Sequence, residues 1–138
     1  DRVTAPPTGT AIMRVTDARQ ALGELGERVA AAWLRRDGWL ILGRRFRNGH
    51  RDLDLIVERD GMVAFVEVKA RRDARFIDPA NAVGWRKRRE LTRSAQVWID
   101  RHGSPRQSYR FDVVVVVVEG ERIRVRHLAD AFPMHDAG

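Results

Sequence analysis

Six consecutive valines, Val113–Val118, limit what this chain can fold into more than any other feature. With Tyr109 and Phe111 before them they make a strand that has almost no polar face. Such a strand is buried on both sides, as strands are in a sheet covered by helices. The run is far too short to span a bilayer. A length of 138 residues is that of one domain, and a hydrophobic fraction of 43% is enough for one packed core. No apolar segment near the start resembles a secretory signal. The expectation is a soluble, cytoplasmic protein.

The segments around the valine strand supply the rest of an α/β domain. Residues 17–37 predict an amphipathic helix, with Leu22, Leu25, Val29 and Trp33 as its buried stripe, Thr16 or Asp17 as its cap and Gly38 at its end. Three strands follow, at about 39–46, 52–59 and 62–69. Asp60-Gly61 between the last two is a two-residue hairpin turn. Residues 70–82, with Asp78-Pro79, read as a loop. A second helix over about 83–102 buries Leu91, Ala95 and Trp98 and exposes Arg86, Arg89, Arg93 and Arg101. After the valine strand, Gly120 permits a turn, Arg122–His127 alternates like an edge strand, and the residues beyond it read as a tail. The proline- and threonine-containing residues 1–16 read as a disordered lead-in, 17–132 as the domain and 133–138 as the end of the tail. A strand–helix–strand step around the second helix implies a parallel crossover in a mixed sheet.

The basic residues number 26 against 19 acids, a net charge of +7, and all are arginine except Lys69 and Lys87. A basic surplus suits a polyanionic partner, because neutralised phosphates release counterions. It also suits a soluble basic protein with no special partner. The absence of cysteine excludes disulfides, thiolate catalysis and cysteine zinc sites. The four histidines are scattered, without metal-ligand spacing.

The hairpin register brings the chemistry into view. With Asp60 and Gly61 in the turn, Arg59 pairs with Met62, Asp54 falls opposite Glu67, and Asp52 falls opposite Lys69. Opposed positions bring side chains to about 4.5–5.5 Å between Cβ atoms. Two opposed carboxylates repel, so one stays protonated to higher pH than normal or the hairpin is strained, unless a divalent cation sits between them. Lys69 projects from the same face as Glu67, within reach of a phosphate oxygen, and acids beside it are expected to keep it charged. The alternative is a solvated face on which two acids tolerate each other. Glu27, at the edge of the first helix's apolar face, either looks across at the sheet or faces solvent. Asp112 is either a distal support or a residue opening its strand.

At these residues the chain resembles the YraN family of uncharacterised bacterial proteins, part of the PD-(D/E)xK nuclease superfamily with restriction endonucleases and archaeal Holliday junction resolvases. The resemblance runs from about Leu22 to Phe132. It is carried by Gly26-Glu27, Asp52-Leu53-Asp54-Leu55-Ile56, Phe65-Val66-Glu67-Val68-Lys69-Ala70-Arg71, Phe111-Asp112-Val113 and His127-Leu128-Ala129-Asp130-Ala131-Phe132. It implies a restriction-endonuclease-like α-β-β-β-α-β core. It also implies a catalytic set with Asp54 and Glu67 on a metal ion, Lys69 near the attacked phosphate and Glu27 as the helix acid. Two departures stand out. Arg51-Asp52 replaces the usual Gly-Glu, so Asp52 keeps a charge on a shorter side chain, and Arg45 replaces the usual Asn.

The resulting expectation is a Mg²⁺- or Mn²⁺-dependent endonuclease acting on DNA, at junctions or other branched forms, with Arg47, Arg71, Arg86 and Lys87 gripping the backbone. Two rivals remain: a nucleic-acid-binding module with a silent nuclease site, and an interaction domain that forms a homodimer through its apolar C-terminal strands.

Overall fold

The computed structural model describes residues 15–47, 52–73 and 83–134. Residues 1–14, most of the expected lead-in, lie outside the described residues, as do Asp78-Pro79 with the rest of 74–82, and 135–138 of the tail. The described elements are α1 (Val15–Arg36), β1 (Leu40–Phe46), β2 (Leu53–Arg59), β3 (Met62–Arg71), α2 (Trp85–His102), β4 (Ser108–Glu119) and β5 (Arg122–Phe132). They build a five-stranded mixed sheet in the order β1-β2-β3-β4-β5. Only β3 and β4 run parallel; the other three pairings are antiparallel. This is the expected α/β architecture, with the expected order of elements.

The valine strand is the reason the sheet has a helix on each face. Val114, Val116 and Val118 pack with Ala30, Ala31 and Leu34 of α1. Val113, Val115 and Val117 pack with Leu91, Ala95 and Trp98 of α2. Each valine or leucine among them, once removed from water, contributes about 1.5–3 kcal/mol. The apolar strand is therefore interior and offers no free surface. The buried stripe of α1 is centred one position away from the expected Leu22–Leu25–Val29–Trp33 row. Those four are only partly buried, while Ala30, Ala31 and Leu34 are the inner residues. Small side chains let the helix lie close to the sheet: a Cβ on Gly26 would come within 2.6 Å of the Ala70 Cβ.

The turns explain how the strands are aimed. Gly38, with φ +91°, ends α1, and the Trp39 N–H donates to Leu34 O at 3.0 Å. Asp60 and Gly61 both have positive φ, 51° and 80°, as a two-residue hairpin turn with the twist of its strands requires. Their ladder runs from Arg59↔Met62 to Leu55↔Val66, the register expected from the sequence. On β1 the register shifts between Ile41 and Gly43, and Arg45 lies at φ +49°. Such irregularities re-aim side chains. The final strand continues five residues past His127, where a tail was expected. Phe132 pairs with Phe111 and stacks on it, ring centroids 4.6 Å apart, and this holds the extension to the sheet. Among the described residues, no helix is long and apolar enough to cross a membrane.

Candidate functional site

The open end of the β2–β3 hairpin carries the acids. Asp54 and Glu67 lie one step beyond the last ladder pair, and their carboxyl groups share a hydrogen bond. The Val68 N–H donates to Asp54 Oδ2 at 2.8 Å, which fixes the Asp54 carboxyl against β3. Glu67 is buried, although it is charged and lies within an apolar strand. Lys69 Nζ lies 3.4 Å from Glu67 Oε2. Lys87, reaching in from the first turn of α2, forms an ion pair with the same oxygen. These groups line a cleft of about 960 Å³ that Glu27, Asp52 and Arg71 also reach.

Burial and charge set the protonation of the group. Removal from water, then the Glu67 charge and the hydrogen bond to it, push Asp54 up to about 8, against a smaller opposing pull from the Val68 N–H. Burial also disfavours the Glu67 anion, but the Lys87 charge, the hydrogen bonds from Asp54 and Lys87, and Lys69 outweigh it, and Glu67 lies below the usual carboxylate range. At neutral pH the pair therefore holds one proton, carried by Asp54. Lys69 is pushed down to about 8, by burial first and then by Lys87 beside it, despite the raising effect of Glu67. Glu67 does favour the charged form, as expected, but burial and then the second lysine hold that charge less firmly than acids alone would.

The other expected residues are placed unevenly. The β2–β3 ladder does not extend to Asp52, which pairs with Arg47 at 3.3 Å. Alternation breaks near the start of β2: Leu53 packs in the core on the α2 side while Leu55 packs on the α1 side. A register projected outward from the turn fails past that point. Glu27 lines the cleft but is held by Arg45, its Oε1 accepting from Nε at 3.0 Å. The bulged β1 thus supplies a partner for the helix acid. Arg47 and Arg86 are exposed, and Arg71 is exposed with its guanidinium on Ala70 O at 2.8 Å. Among the described residues, no group of three or more His, Asp or Glu side chains is placed to hold a metal ion.

A second polar cluster lies on the α1 side of the sheet. Asp112, fully buried, accepts from Arg110 Nε at 2.9 Å and from the Asp130 N–H at 2.9 Å, and its Oδ2 lies 2.7 Å from His127 Nε2. The His127 ring lies edge-on to Trp33 at 5.3 Å. Burial raises the Asp112 pKa, but the bonds from His127, Asp130 and Arg110 more than offset it, and its pKa is lowered. Every partner is a residue of this chain, and the cluster pins β5 across the register shift between Phe111 and Val113. Asp112 is thus a support for β5. The signal for it was legible: a buried-strand acid and a histidine on the next strand.

The profile of the uncharacterised protein family UPF0102 matches residues 26–116, a span that contains both acids, both lysines and Asp112. A UPF0102 protein of Nocardia farcinica is 42% identical over 126 residues, which is 91% of this chain and 98% of the relative. A UPF0102 protein of Chloroherpeton thalassium is 42% identical over 99 residues, 72% of this chain and 77% of the relative. One of Nitratidesulfovibrio vulgaris is 38% identical over 120 residues, 87% of this chain and 90% of the relative. With a matched profile over most of its folded length and relatives this similar, the chain belongs to the UPF0102 family.

Proposed function

We propose that this protein is a Mg²⁺- or Mn²⁺-dependent endonuclease that hydrolyses phosphodiester bonds in DNA. The observation that carries the reading is the pair of buried Glu67 and half-buried Asp54, with Lys69, on one face of a cleft. The donor set fits a hard cation. Mg²⁺ is held by one or two carboxylates, with waters and substrate phosphate completing the shell. The proton shared by Asp54 and Glu67 relieves the same repulsion that a cation between them would relieve.

When bound by Asp54 and Glu67, the ion supplies Lewis acidity and charge neutralisation at the attacked phosphate. The chain's own residues do the rest. Asp54 must lose its proton, and the Val68 N–H keeps its carboxylate aimed while it does so. Lys69, pushed down to about 8, can hold or release a proton near neutral pH beside the phosphate. Arg47, Arg71 and Arg86 are exposed and can meet the backbone on either side of the scissile bond. Branched and four-way junctions are the forms to test first, and a cytoplasmic setting is the one in which such DNA is met.

A specific observation favours a second reading, that of a nucleic-acid-binding module with a silent site: Glu67 is already neutralised by Lys69 and Lys87. One assay separates the two. Purified protein is incubated with Mn²⁺ and duplex, single-stranded, flap and four-way DNA, beside Asp54→Asn and a chelator control. Metal-dependent cleavage lost in Asp54→Asn is the expected result. Binding that survives chelation, with no cleavage under any divalent ion, sinks the endonuclease reading and leaves the module.

A further inference from the structure

The chain has two lysines and otherwise only arginine as its strong base, yet both lysines converge on one oxygen, Glu67 Oε2. We propose that Lys87 is the resident counter-cation of Glu67, which competes with a divalent cation for that carboxylate and is released into the cleft when the cation binds. The inference rests on the metal reading of the site given above.

The geometry makes the competition necessary. Glu67 has a side chain only 7% exposed and already meets Lys69, Lys87 and the Asp54 carboxyl. A Mg²⁺ ion bonded to a carboxylate lies about 2.0–2.1 Å from its oxygen. With both ammonium groups in place, the ion would sit beside two like charges, so one of them has to leave.

The elements decide which one leaves. Lys69 is two residues from Glu67 on the same strand, so its backbone cannot withdraw without breaking the β3–β4 ladder, in which Lys69 pairs with Val115. Lys87 comes from the first turn of α2, a turn with no acid and no side-chain cap. Arg86, Lys87, Arg88 and Arg89 crowd that positive helix end, which disfavours cations. Glu67 offsets this for Lys87; once a metal takes the carboxylate, the repulsion pushes the ammonium out. Lys87 already lines the cleft, so the freed group stays where a phosphate would lie. The residue type suits the exchange. Lysine is a compact point charge on a flexible stem, whereas arginine holds carboxylates through a rigid two-point fork.

The test is a Mn²⁺ titration by isothermal calorimetry, without nucleic acid, on the parent chain and on Lys87→Met, Lys87→Gln and Lys87→Arg. The Met and Gln variants should bind Mn²⁺ about tenfold tighter or better, and the Arg variant no tighter than the parent. Circular dichroism in chelator and in Mn²⁺ accompanies it, since the variants lose a counter-ion for Glu67. A Met or Gln variant that folds only with Mn²⁺ supports the exchange; one that stays unfolded with Mn²⁺ makes Lys87 a structural ion pair and overturns it. Parent and variants binding Mn²⁺ equally, or the variants more weakly, overturns the role of Lys87 while leaving the endonuclease reading intact. No Mn²⁺ binding by any of the four proteins overturns both.

Discussion

Asp54 and Lys69 leave opposite marks on stability, and the signs follow from linkage. Stability rises with pH wherever the unfolded chain binds more protons than the folded one. Asp54 keeps its proton in the folded state up to about 8, whereas an unfolded carboxyl releases it near about 4. Between those values the folded state binds the extra proton, so metal-free stability falls as pH rises. Lys69 loses its proton at about 8 in the folded state and near about 10.4 when unfolded, so stability recovers across that upper window. Urea unfolding in chelator should therefore show a shallow minimum near pH 8. Asp54→Asn should remove the descending limb and Lys69→Met the ascending one; parallel parent and Asp54→Asn profiles from pH 4 to 8 would refute the shared proton. Asp112 behaves conventionally. Its pKa is lowered, so its contribution is present above the ordinary carboxylate value and lost as pH falls through the folded one. Asp112→Ala leaves Arg110 and His127 without their acceptor and should cost about 3–5 kcal/mol by denaturant titration. A loss below about 1 kcal/mol would mean that the β4–β5 ladder and Phe132 hold β5 without help from Asp112.

The contact of α1 with β3 sets where Glu27 stands relative to the acids. Gly26 is buried against Ala70, and its added Cβ would sit 2.6 Å from the Ala70 Cβ. Both atoms hang directly from backbone, so a helix, a strand or both must move. Gly26→Ala should cost about 1–3 kcal/mol, the usual range for overpacking. Because Glu27 is the next residue, the same change should also withdraw it from the cleft. Thermal melts in chelator and in Mn²⁺ check both effects: a lower melting temperature and a smaller metal-induced rise. A Glu24→Ala variant, two residues earlier on the helix, should leave the melting temperature in chelator near that of the parent. If Gly26→Ala melts like the parent, the helix is not seated as closely as described.

At the scale of the molecule, the basic surplus acts through the face around the cleft. Arg71 and Arg86 are exposed, whereas Lys87 is committed to Glu67. DNA affinity should fall steeply with salt, and the double variant Arg71→Ala, Arg86→Ala should flatten the slope of log affinity against log salt by about 1–2 units. An unchanged slope in fluorescence-anisotropy titrations would remove both arginines from the interface. Lys87→Gln in chelator should leave the slope as it is, because its charge is neutralised inside the protein.

Reading the chain alone determined the elements, the parallel crossover and the central hairpin, because these rest on local rules. A run of valines has to be covered on both faces, and Asp60-Gly61 permits one register, which carries Asp54 to Glu67. Those rules stop where the backbone departs from regular geometry. The break in alternation near Leu53 turned Asp52 toward Arg47, and the bulge in β1 turned Arg45 toward Glu27. The sequence could show a lysine on the second helix. It could not show that its ammonium crosses to a strand and lowers the pKa of Lys69. Such contacts join residues far apart in the chain, and their energies depend on burial and on distances of a few ångströms. Only the packing of α2 on the sheet sets those quantities.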